Sequence, residues 1–246
     1  MRILGIIAAA ALVLSLPSIA AAGTLKLRWD ACWGDGGVAN KAFACDVNTG
    51  TNLLVASLIP SLAVHSVEDI ESRIDLRFAG GSVPAWWQFH AALTCRQNSL
   101  TMVPQAPASS IACVDWAGVA AIGAIADYTM GGPFGAASIQ IVSYLPPPIL
   151  ADFDPGQEYF LYSLSINHLK TVGPTACAGC NLGVCLGLQY VELSSPPPGG
   201  VVTFDAFSFD TDWLATWQGG ALSGTSCSFS TAAHTSTWGS VKALYR

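Results

Sequence analysis

Ile70-Glu71-Ser72-Arg73-Ile74-Asp75-Leu76-Arg77-Phe78 is the stretch that decides the fold class. Successive side chains of a strand point to opposite faces. Ile70, Ile74, Leu76 and Phe78 therefore share one face, and Glu71, Arg73, Asp75 and Arg77 share the other. A strand with one apolar and one charged face belongs in an antiparallel sheet that covers a core on one side only. The alternating signs on the polar face suit same-face pairing worth roughly a few tenths of a kcal/mol each.

Working outward, the same period recurs. Leu25, Leu27 and Trp29 oppose Lys26, Arg28 and Asp30, and Phe160, Tyr162, Leu164 and Ile166 oppose Ser163, Ser165 and Asn167. Further strands are expected around Leu186, Leu188 and Tyr190, and around Val202, Phe204 and Ala206. Residues 53–59, 111–116 and 139–144 lack clean alternation, which predicts strands buried on both faces. Residues 117–127 carry Gly118 and Gly123 and read as strand or loop rather than helix. Asp35-Gly36-Gly37, Asn48-Thr49-Gly50, Gly80-Gly81, Gly131-Gly132-Pro133 and two triple-proline runs, 146–148 and 196–198, punctuate the pattern. Many short strands with little helix predict an all-β, antiparallel β-sandwich of the jelly-roll kind, as one domain over 23–246.

The first residues read differently. Arg2, an apolar run over 3–16, Pro17-Ser18 and Ala20-Ala21-Ala22 follow the order of a secretory signal peptide, 1–22, with cleavage expected after Ala22. The alternative, an uncleaved anchor, meets a run shorter than the ~20 residues a spanning helix needs. A secreted or periplasmic mature protein without a membrane span follows. Eight cysteines, none of them in the leader, are then expected to form disulfides. Chain proximity favours Cys32–Cys45 and Cys95–Cys113. Cys177, Cys180, Cys185 and Cys227 are left to pair among themselves, with Cys227 tied back to the cluster. A four-thiolate zinc site competes at that cluster, but it shows a single C-x-x-C knuckle where zinc ribbons carry two. A redox role is disfavoured because redox C-x-x-C motifs open a helix, whereas Cys177 and Cys180 lie in a glycine-rich loop before a strand.

Charged residues make up 11% of the chain and the formal net charge is −6. With no Lys/Arg cluster, nucleic acid and anionic membrane surfaces are poor partners. Among eight tryptophans, Trp86 and Trp87 are adjacent, so in a strand one would be exposed as a stacking platform for a sugar ring. Trp213 and Trp217, near Asp212 and Gln218, are candidates for a second patch; the alternative is that these rings fill the core. Asp152, Asp154 and Glu158 alternate around Gly156, a spacing of oxygen ligands that suits calcium, against the plainer reading of a polar turn. No other cofactor is expected. His65, His90, His168 and His234 are isolated, and His168 reads as a core residue. No G-x-S-x-G elbow occurs; Gly220-Ala221-Leu222-Ser223-Gly224 misplaces the serine. Asp75, Asp115, Glu158 and Glu192 are carboxylates that a glycosidase would need in pairs, but nothing local marks a pair, and no catalytic residue is assigned.

Cys177-Ala178-Gly179-Cys180-x4-Cys185 and the ending Thr237-Trp238-Gly239-Ser240-Val241-Lys242-Ala243-Leu244-Tyr245-Arg246 resemble a group of uncharacterised exported bacterial proteins, over most of the mature chain. More loosely, the strand order resembles cohesin-like and carbohydrate-binding sandwiches, a likeness of fold that carries no function. Three functions are consistent with these features. The first is a non-enzymatic binding or adhesion module, with a glycan or other cell-surface component as partner. The second is a self-associating structural subunit of the envelope or an appendage, and the third is a glycoside hydrolase. Exposed aromatic rings would favour the first, a long apolar strand edge the second, and two neighbouring carboxylates with one perturbed pKa the third.

Overall fold

The computed structural model describes residues 19–20, 23–78, 82–89, 93–132, 136–206, 211–219 and 227. Most of the leader, His90, His234, the 220–224 serine motif and the C-terminal ending lie outside the described residues.

The described residues form an antiparallel, disulfide-braced β-sandwich with two short 3₁₀ turns, Ala85–Trp87 and Gly118–Ala120. In chain order the strands are β1 (Ile19–Ala20), β2 (Gly23–Trp29), β3 (Asn40–Lys41), β4 (Thr51–Pro60), β5 (Val64–Val67), β6 (Asp69–Phe78), β7 (Leu100–Val103) and β8 (Val114–Asp115). They continue as β9 (Ile122–Gly132), β10 (Ala136–Tyr144), β11 (Ala151–Phe153), β12 (Tyr159–Asn167), β13 (Val184–Ser194), β14 (Val201–Asp205) and β15 (Leu214–Trp217). The larger sheet runs β1-β14-β13-β6-β10-β9, with β15 and β3 extending it beside β13. The smaller runs β2-β4-β12-β7, with β8 beside β12, and β5 and β11 pair as a ribbon.

β6 is a strand of an antiparallel sheet, as expected, and the structure places it in the middle of the larger sheet. Ile70, Ile74 and Leu76 are at most 2% exposed and face the second sheet. Ser72 shares that face, and its hydroxyl meets the Tyr162 hydroxyl at 2.7 Å across the core. The opposite row, Glu71, Arg73, Asp75 and Arg77, is half-covered rather than solvated: Glu71 is only 3% exposed. β4 is buried on both faces from Leu54 to Leu58, as its sequence predicts. Two other runs correct the prediction. In β10 the residues 137, 139, 141 and 143 are buried while 138, 140, 142 and 144 are not, so alternation holds there after all. Within 111–116 only Val114–Asp115 is strand, and Ile111 is 91% exposed.

The cysteines pair over long range: Cys32–Cys113, Cys45–Cys180, Cys95–Cys177 and Cys185–Cys227. The local pairs expected from chain proximity are therefore wrong, while the tie of Cys227 back to the cluster is present. A sandwich gathers loops that are distant in sequence at each end of its sheets, so spatial neighbours there are seldom chain neighbours. Cys177, Cys180 and Cys185 go to three different partners, and no free thiol is left to ligate zinc.

Disulfide mapping under non-reducing conditions is expected to recover these four pairs. Closing the 81-residue separation of Cys32 and Cys113 constrains the unfolded chain strongly. The double variant Cys32→Ser/Cys113→Ser should lose about 2–5 kcal/mol in urea denaturation. A loss below about 1 kcal/mol would mean that the bridge is incidental.

Candidate functional site

The tryptophans singled out by sequence turn inward. Trp86 and Trp87 sit on the Ala85–Trp87 turn rather than in a strand, and both are fully buried. A tight turn does not alternate its side chains as a strand does, so both indoles enter the core. Trp217 is fully buried too, within 4.9 Å of the Trp86 ring and 5.2 Å of Trp87, and Trp213 is half-buried against the same cluster. Two of the indole N–H groups are used internally: Trp86 donates to Thr171 Oγ1 at 3.0 Å and Trp217 to the Cys180 carbonyl at 2.6 Å, whereas the buried Trp87 Nε1 meets no acceptor among the described residues. Arg96 stacks on Trp86, with its guanidinium carbon 3.6 Å from the ring centroid, and burial lowers its pKa to about 9. His168 is buried as expected. Its Nε2 accepts from Asn52 Nδ2 at 2.6 Å, and burial lowers its pKa.

Among the described residues the most exposed indole is Trp33, 48% exposed, which the sequence reading did not select. It stands in the loop after β2, and that loop is held from three sides. The buried Glu158 carboxylate accepts the Trp33 and Gly34 amides at 3.0 and 2.8 Å and the Ser57 hydroxyl at 2.6 Å. Asp35 accepts the amides of Ile111 and Ala112 at 3.0 and 2.7 Å, and Cys32–Cys113 joins the same two loops covalently. Hydrogen bonds to an ionised acceptor are each worth about 1.5–3 kcal/mol, so this loop is fixed more firmly than its exposure suggests. Lys26 Nζ sits 4.8 Å from the Trp33 ring centroid and pairs with Asp212, which also binds Arg28. The site thus combines an indole with a cation and a carboxylate at its flank.

The Glu158 carboxylate is thus occupied by protein donors. Asp152 accepts the Ser66 amide at 2.8 Å and lies 3.5 Å from His65 Nδ1, on the β5–β11 ribbon. Asp152, Asp154 and Glu158 form no cluster of ligand atoms among the described residues, so their geometry lends the calcium reading no support. The strand entered at Tyr159 sends Glu158 inward to the Trp33 loop instead. Among the described residues Asp35 clusters with Cys32 and Cys113, and both sulfurs are committed to a disulfide.

A second polar cluster lies on the outer face of the larger sheet. Glu71 and Glu192 are cross-strand neighbours. Tyr190 donates its hydroxyl to Glu71 at 2.9 Å, Gln140 donates to both Glu71 and Tyr190, and Thr203 donates to Glu192 at 3.3 Å. Burial, and then the charge of Glu71, raises the Glu192 pKa to about 7. Of the other carboxylates, Asp75 pairs with Arg73 at 2.7 Å, and Asp115 accepts the amides of Ala106 and Ala117. An open groove of roughly 570 Å³ at the proline-rich end is lined by His65, Ser66, Ser195, Pro196–Pro198 and Val201–Val202, with no acidic residue.

No protein-family model matches the chain, and no curated protein matches its sequence. Among solved structures it is similar to a cohesin module from a Clostridium perfringens ATCC13124 family 33 glycoside hydrolase. That similarity has 9% identity and a TM-score of 0.36, over 80% of this chain and 93% of the module. The likeness is loose and concerns overall architecture.

The raised Glu192 pKa has a pH signature. A carboxyl whose folded pKa lies above its unfolded value stabilises fully below about pH 4.5, the ordinary value, and loses that contribution as pH rises to about 7. Stability is expected to fall over that window in the native protein and to lose this component in Glu192→Gln. An identical slope in the variant would show that Glu192 titrates normally.

Proposed function

We propose that the chain is an exported, non-enzymatic binding module whose leader is cut after Ala22, and that Trp33 is its contact residue, with a glycan as ligand class. The observation that carries this reading is a half-exposed indole on a loop immobilised by Glu158, Asp35 and Cys32–Cys113. Sugar rings present apolar C–H faces that stack on aromatic rings, and their hydroxyls seek charged and planar polar groups. Trp33 offers the first, and Asp212, whose side chain is 25% exposed and held in place by the buried Lys26, offers the second. A rigid platform loses little conformational entropy on binding, which is what lets a single ring act as an anchor.

Hydrolysis is favoured by one observation, the adjacent Glu71 and Glu192 with the latter's raised pKa. Against it, Glu71 is only 3% exposed and Glu192 8%, and Glu71 already takes two side-chain donors. Such a pair acts as a fixed structural network more readily than as an acid and a nucleophile.

The test is a glycan-array and polysaccharide binding screen on oxidised protein, beside Trp33→Ala, Trp33→Phe and Glu192→Gln. Trp33→Ala is expected to weaken binding about tenfold or more, equivalent to ~1.4 kcal/mol. Trp33→Phe should retain part of the affinity, and Glu192→Gln should leave it unchanged. Binding indifferent to Trp33 would remove the site. Turnover abolished by Glu192→Gln would replace the binding reading with the hydrolase.

A further inference from the structure

The larger sheet has two edges whose geometry matches. At one side β9 pairs only with β10 among the described residues. It is long, carries a single charge at Asp127, and exposes Ile122 and Met130. At the other side β14 is covered by Ile19–Ala20, a strand of two residues that runs parallel to it. Those two residues belong to the leader, so cleavage after Ala22 strips β14 and leaves that edge without a partner strand among the described residues. An unpaired edge is a template for another strand.

The registers across the sheet place the two edges level with each other. One row runs Ile122, Tyr144, Asp69, Ser194, Val201, and a second runs Asp127, Gln140, Arg73, Tyr190, Asp205. The segments 122–127 and 201–205 therefore occupy the same height and run in the same direction. The extra residue on β9 is absorbed by the irregularity opposite Gln140 and Ile141. A second copy displaced along the rows would bring its β9 against the bare β14 as a parallel strand, in the orientation that Ile19–Ala20 already adopts there.

We propose that the mature chain assembles head to tail by this route, β9 of one copy replacing the leader strand on β14 of the next. The proposal rests on the export reading above, because an uncut leader keeps the edge covered. The contact joins two different surfaces and so does not close on itself. Five strand-to-strand steps per copy, each twisting by about 20–25°, make the product a helical filament rather than a flat sheet. Asp127 of one copy would lie beside Asp205 of the next, so repulsion limits the assembly. Salt strengthens it, and Asp127→Asn tightens it by roughly two- to fivefold.

The experiment starts from protein recovered after export, with its N-terminal residue identified by mass spectrometry. A chain beginning at Gly23 supports the export reading, whereas one that keeps Ile19–Ala20 overturns both that reading and the assembly. Sedimentation of the Gly23 chain should show mass rising with concentration. Adjacent residues of a strand point their amides to opposite edges, so Ala124→Pro and Ile125→Pro in β9, and Val202→Pro and Thr203→Pro in β14, each include one that blocks only the open side. From each pair the variant whose circular dichroism and melting match the parent is used. Each blocked variant alone should be monomeric, and a mixture of the two should stop at a one-to-one dimer. A Gly23 chain that stays monomeric, or one whose association ignores these substitutions, overturns the assembly while leaving the export reading intact.

Discussion

The register of β6 is the constraint on which the rest depends. Ile70, Ile74, Leu76 and Phe78 must face the second sheet while Glu71, Arg73, Asp75 and Arg77 face away, and a slip of one residue would exchange the two rows. The exchange would bury four charges and expose four large apolar side chains, each worth about 1.5–3 kcal/mol when buried. β13 and β10 flank β6 and are held by the same requirement, since Leu186, Leu188, Ile139 and Ile141 lie on the inner face opposite the same row. With these three strands fixed, β14 and β9 are fixed at the margins, and the polar cluster around Glu71 is a consequence of the outer row.

The ends of the sandwich are organised by other means. Loops leaving the sheets lack the ladder of backbone hydrogen bonds, and here side chains and disulfides supply the missing order. The buried Glu158 gathers two amides and a hydroxyl, Asp35 gathers two more amides, and Cys32–Cys113 closes the pair of loops. At another such place Arg96, Trp86, Trp217 and His168 pack together, and their aromatic surface stabilises the interior. The two places divide the tryptophans by role. Where the ring has neighbours on every side it is core, and where a loop is pinned by its backbone the ring is left to solvent.

Alternation made the fold class legible in the sequence at β6; in β2 and β12, where the same period predicts one polar face, both rows are buried from Leu25 to Trp29 and from Tyr159 to Leu164, and a register shift turns Phe160 to the face opposite Tyr162. Alternation also failed at β10, where Val142 and Tyr144 on the outer row hid the period, and at Trp86-Trp87, where a turn replaced the strand that the argument assumed. Cysteine pairing was illegible for a different reason. Cys45 meets Cys180 across 135 residues because the fold brings them together, and chain distance carries no trace of that. Trp33 carries a weak sequence signal, its place between Cys32 and the Gly34-Asp35-Gly36-Gly37 turn. The signal becomes specific only once Glu158 is seen beneath it.

Native-state hydrogen exchange, resolved by segment, tests the central place of β6 most directly. Strands paired on both sides and buried on one face open only with the whole protein, whereas edge strands open locally. The amides of 69–78 and 184–194 are predicted to be the slowest in the protein and to share one opening free energy, with 122–132 and 201–205 exchanging faster. If 69–78 exchanged as fast as 122–132, β6 would not be the centre of the sheet, and the assignment of inner and outer rows built on it would fall.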